Sequence, residues 1–77
     1  MITDAEVEVA ILQICNKLGM NAVLPSQNMV IDAWRAIFHE NKDSVASKIY
    51  KEKSVQNQVV EGVREFYKAK RRKEGII

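Results

Sequence analysis

One cysteine, one histidine and ten scattered carboxylates are most of what this chain offers to covalent or acid–base chemistry. A thiol or hydroxyl nucleophile needs a base within hydrogen-bonding reach and a further group to orient that base. Cys15 stands on the apolar stripe of one helical segment, and His39 stands beside Glu40 near the end of another. Those positions predict a buried, inert thiol and an imidazole at a helix C-terminus, where positive charge is favourable. Gly19, Gly62 and Gly75 are too far apart in sequence to build a phosphate-cradling loop. The acidic residues fall at helix caps and on solvated helix faces, away from any pocket that could raise a carboxyl pKa for proton transfer. One cysteine and one histidine cannot supply a four-ligand zinc site, and a single cysteine forms no internal disulfide. The chain reads as a non-enzyme that uses no metal, cofactor or small-molecule substrate.

Charge is the stronger functional signal. Residues 1–43 carry three Lys or Arg against six Asp or Glu, whereas residues 44–77 carry nine against four. The run Lys68, Lys70, Arg71, Arg72 and Lys73 is suited to phosphate contacts, which give salt-dependent affinity for nucleic acid. The same cations also suit a helix C-terminus whatever the function. Upstream, Val45, Ala46 and Ile49 form the inner face of a short helix, residues 51–54 a turn, and Val55 and Val59 the inner face of a second helix. Gln56 and Asn57 open that second helix, and such side chains pair bidentately with adenine edges. Lys48, Lys51 and Lys53 flank them as candidate phosphate contacts. Over residues 44–67 the chain resembles the helix-turn-helix class, and that resemblance implies DNA binding with the second helix as the reading element.

A different class of function stays open. Met20, Val23, Leu24, Met29, Ile31 and Phe38 are more apolar surface than a thin core is expected to absorb, and exposed apolar patches mark partner surfaces. They point to a protein–protein adaptor, to a small subunit of a larger assembly, or to self-association. Alternatively, the segment from Met20 to Leu24 covers an open end of the fold. Nucleic-acid association through the basic half leads, with the adaptor reading as the alternative.

The elements that must position these residues are all helical. Seventy-seven residues make a single domain over 1–77, and a chain of this size buries only about 60–65% of its unfolded surface. Thr3 and Glu6 spell a capping box ahead of an apolar stripe at Val7, Ile11, Ile14, Cys15 and Leu18, with Gly19 as the stop. Proline and serine at 25 and 26 open a second helix carrying Val30, Ala33, Trp34, Ile37 and Phe38. A short third helix follows, and Ser54 is placed to cap a long fourth with Val55, Val59, Val60, Val63, Phe66 and Tyr67 on its stripe. Gly62 falls inside that stripe, where glycine costs ~1 kcal/mol relative to alanine, so another helix is expected to approach closely there. The spacing predicts an all-α, compact bundle of about four helices near 4–18, 26–40, 44–51 and 55–74. No apolar run approaches the ~20 residues of a membrane span, and the acidic N-terminal residues and lone thiol suit a cytoplasmic protein.

Overall fold

The computed structural model describes residues 2–19, 24–40 and 45–73; the side chains of Glu40 and Lys73 lie outside that description. Four helices follow in order: α1 (Asp4–Leu18), α2 (Gln27–Glu40), α3 (Val45–Tyr50) and α4 (Lys53–Lys73). Each packs against the other three, and α1 on α4 is the most extensive interface. No helix among the described residues is long and apolar enough to cross a membrane.

Local sequence sets most of the helix ends. The Thr3 side chain accepts a hydrogen bond from the Glu6 backbone N–H at 3.2 Å, which satisfies one of the unpaired donors at the start of α1. Ile2 and Val7 both pack on the core, as a hydrophobic staple requires. At the other end Gly19 takes φ +81° and ψ 167°. The sign of φ is the one glycine tolerates best, but ψ is extended, so the chain leaves α1 outward and does not coil into a left-handed cap. Ser26 caps α2 by accepting from Met29 N–H at 3.2 Å. Pro25, expected at the first helical position, lies outside the helix and is buried.

The start of α4 departs from expectation. The chain tightens at the end of α3, where Lys51 N–H donates to Lys48 and Glu52 N–H to Ile49, both three residues back. This 3₁₀-like closure leaves no room for a longer connector. Helix α4 therefore begins at Lys53, with the Glu52 carbonyl accepting from Gln56 N–H at 3.0 Å, and Ser54 falls inside its first turn.

The core draws on all four helices: Val7, Ala10, Ile14 and Cys15 from α1, Val30, Ala33, Trp34 and Phe38 from α2, Ala46 and Ile49 from α3, and Val55, Val59, Val60, Val63 and Tyr67 from α4. Trp34 is 1% exposed at its centre. Phe38 meets it edge-on at 5.4 Å and 89°, and Tyr50 of α3 lies tilted at 6.2 Å, so one indole ties α2 to α3. Two further tyrosine and phenylalanine rings, Phe66 and Tyr67, meet at 5.8 Å near the far end of α4.

At Gly62 a side chain of α1 packs directly onto α4, as the glycine's place in the stripe implies. A Cβ there would overlap Ile11 Cδ1 and stand 3.1 Å from Ile11 Cγ1. Two opposed effects follow for Gly62→Ala: ~1 kcal/mol gained in helix propensity, and a displacement of Ile11 that costs part or all of it. In an Ile11→Ala background the second effect disappears, so Gly62→Ala is expected to stabilise that variant by ~1 kcal/mol and the native protein by clearly less. Urea titration of the four proteins of this cycle measures the difference. Equal effects in both backgrounds would show that Ile11 does not impose the glycine.

Tyr67 supplies a link that joins distant parts of the chain. Its hydroxyl donates to the Gly19 carbonyl and lies 3.3 Å from the Cys15 carbonyl. A side chain of α4 thereby satisfies the carbonyl end of α1, which the helix itself leaves unpaired. Burial pushes the Tyr67 phenol above its ordinary value of 10.0, with the neighbouring Cys15 adding to the shift, and burial also pushes the Cys15 thiol above its ordinary 9.0. Both groups bind their protons more tightly folded than unfolded. Their stabilisation is complete below the unfolded values and is lost as pH rises through the folded ones. Stability should hold steady up to about pH 9 and fall beyond it. Tyr67→Phe is expected to cost ~1–2 kcal/mol at neutral pH and to decline less steeply above pH 10, as read from urea midpoints across that range. An unchanged alkaline slope would count against Tyr67 as a source.

Candidate nucleic-acid interface

The long helix decides which cations act together. At 100° per residue, Lys53, Asn57, Arg64, Lys68 and Arg71 fall within about 60° of arc, at intervals i, i+4, i+11, i+15 and i+18. All five are exposed. At 1.5 Å per residue the row runs for about 27 Å. Only the start of the row lies beside α3: Gln56, half-buried on the core side of α4 about 60° from Lys53, donates its amide to the Tyr50 carbonyl at 2.6 Å. That bond places the end of α3 and the exposed Lys51 beside the first residue of the row. Lys48 is exposed one turn earlier on α3.

The other cations of the basic tail do not join them. Lys70 lies seven residues beyond Val63 on the apolar stripe and is half-buried, an arrangement in which the alkyl stem covers core and the ammonium reaches water. Arg72 falls about 100° round from Lys53, among Glu61 and Glu65. Lys68 is bonded to Glu65 at 3.6 Å, with both side chains at least half exposed, so this pair contributes little stability. Lys73 continues the helix, with its side chain outside the described residues. The five-residue basic run therefore splits by helical angle, and only Lys68 and Arg71 fall on the long row. Arg64, outside that run and exposed, completes it.

Two details bear on base reading. The Gln56 amide is committed to closing the end of α3, which reduces what it can offer an adenine edge, whereas Asn57 is exposed. Glu61 and Glu65 sit near the middle of the exposed arc of α4, about 80° and 120° round from Lys53, where a helix inserted in a groove would carry them towards phosphates.

The apolar surface lies elsewhere than the sequence implies. Phe38 is 2% exposed and belongs to the core, and it lines a cavity of about 340 Å³ with His39, Ser47, Tyr50 and Lys51. Leu24 and Ile31 are partly buried against the core, while Met29 is exposed. Met20 and Val23 lie outside the described residues. Val45, expected on the inner face of α3, is instead 47% exposed at the first residue of that helix, and the exposed apolar side chains that the helical pattern missed are Val9 and Leu12 on α1. Their spacing from the core stripe of α1 was the available signal, since both fall on the face opposite Val7 and Ile14. Among the described residues no group of three or more metal-ligating side chains comes together. Cys15 is sealed in the core, and burial raises its pKa away from the reactive thiolate.

Neither protein-family models, nor curated proteins, nor solved structures match this chain.

Proposed function

We propose that this protein associates with nucleic acid through the cationic edge of α4, contacting phosphates along one backbone strand and not reading base sequence. The observation that carries the reading is the alignment of Lys53, Arg64, Lys68 and Arg71 on one exposed edge, with Lys51 beside its start. A straight row of exposed cations suits a repeating anion, since phosphate contacts need charge more than a fixed partner geometry. The commitment of Gln56 to Tyr50 and the acidic residues further round α4 favour edge-on contact over insertion of α4 as a recognition helix. None of the five aromatic side chains is fully exposed, which favours a duplex over stacking on unpaired bases. A cytoplasmic location fits this role and keeps the Cys15 thiol reduced.

Titration of a labelled DNA duplex and of a single-stranded RNA at several salt concentrations tests the reading. Four phosphate contacts give a slope of about −3.6 in log K against log salt, and dissociation constants in the non-specific range of ~10⁻⁴–10⁻⁶ M. No binding to either probe at low salt would end the proposal.

A further inference from the structure

The side of α4 turned away from the cationic edge carries a surface of opposite character. Gly62 lies half a turn round from Lys53, and there α4 and α1 enclose a groove of about 380 Å³. Its walls are Ile11, Leu12, Gly62 and Phe66, and its rim holds two carboxylates, Glu8 from α1 and Glu65 from α4, the second paired across an exposed 3.6 Å contact with Lys68. The apolar surface continues outward along α1, where Leu12 is 53% and Val9 47% exposed. Gly62 keeps the floor low, because its missing side chain is what allows Ile11 to lie across α4.

We propose that this groove docks a cationic amphipathic helical segment of a partner protein. An apolar side chain on such a segment would rest on Ile11, Gly62 and Phe66, and a lysine or arginine one turn to either side would face Glu8 and Glu65. Charge complementarity selects this occupant. A neutral apolar peptide would leave both carboxylates facing low-dielectric surface, and an acidic one would be repelled by them. The Glu65–Lys68 pair is exposed on both sides and does not block the rim, since a better-placed cation replaces it at small cost. The groove and the cationic edge meet at the Glu65–Lys68 pair, so a cation docked against Glu65 would release Lys68 to the edge. The inference stands independently of nucleic-acid binding.

The probe is a short peptide with leucines at helical spacing and lysines one turn to either side of them on the same face, titrated into ¹⁵N-labelled protein, beside the same peptide with glutamate for every lysine. The expected result is saturable shifts centred on Glu8, Ile11, Leu12, Gly62 and Phe66 with the lysine peptide and none with the glutamate peptide. Leu12→Ser should weaken binding ~10-fold, the usual loss for truncating an apolar anchor. The exposed-site double variant Glu8→Gln, Glu65→Gln should weaken it several-fold at low salt and little at high salt. Both variants alter exposed positions, and circular dichroism confirms that each remains folded. Equal binding of the glutamate peptide, shifts centred on the Phe38–Tyr50 cavity, or no saturable shifts would overturn the proposal. So would self-association of the free protein that Leu12→Ser abolishes, because the groove would then be filled by a second copy.

Discussion

Replacing Trp34 with alanine is expected to cost ~3–5 kcal/mol, the range for deleting a large core aromatic. For a domain of this length, total stability of roughly 0.05–0.15 kcal/mol per residue amounts to about 4–12 kcal/mol, so the variant stands at or near the edge of unfolding. The large effect follows from position. The indole joins α2 to α3 by meeting Tyr50 at a tilt, it stands edge-on to Phe38 of its own helix, and its loss opens a cavity among helices that no disulfide holds together. Trp34→Phe is expected to be much milder. It retains an aromatic ring in the cluster, and it also removes the indole N–H, which is buried and has no acceptor among the described residues. Such an unpaired donor carries a desolvation penalty of ~1–3 kcal/mol that phenylalanine does not. Thermal and urea unfolding followed by far-ultraviolet circular dichroism compares the three proteins without relying on tryptophan emission. Equal losses for alanine and phenylalanine would mean that the indole's own shape, and not aromatic packing or the unpaired donor, sets the cost.

The difference between what the sequence revealed and what it concealed follows the range of the interactions. Helix ends at Thr3, Gly19 and Ser26 are set by bonds spanning three or four residues, and the sequence contains both partners side by side. The close approach at Gly62 was also legible, because an unfavourable residue inside a strong helix needs a steric reason. The start of α4 was misplaced because serine's capping preference lost to the tight exit from α3, a constraint set by how α3 and α4 pack. The Tyr67–Gly19 bond spans 48 positions and has no local signature at all. The assignment of Phe38 to an outer surface failed for a related reason: a helix with apolar residues over much of its circumference does not reveal which of them its neighbours cover. For the proposed interface, composition points to the basic half as a region, while only helical angle separates Lys68 and Arg71 from Lys70 and Arg72.

That separation can be tested with two variants of identical charge. Lys68→Gln, Arg71→Gln removes two positions from the long row, and Lys70→Gln, Arg72→Gln removes two cations lying off it, so long-range attraction changes equally in both. With four contacts, the native protein should lose ~150-fold in duplex affinity between about 50 and 200 mM salt, since the slope is about −0.9 per phosphate. The variant of the row keeps two contacts, a slope near −1.8, and should lose only ~12-fold over the same interval. The off-row variant should retain a slope near the native value, with at most a uniform weakening from its lower net charge. Lys70 is half-buried through its stem, and glutamine preserves part of that cover, so stability should not confuse the comparison. Equal slopes in the two variants would mean that the basic tail acts as an undirected cloud of charge, and the edge of α4 would lose its special standing. A larger change in the off-row variant would move the contact face towards Glu61 and Glu65, which edge-on docking along the row does not allow.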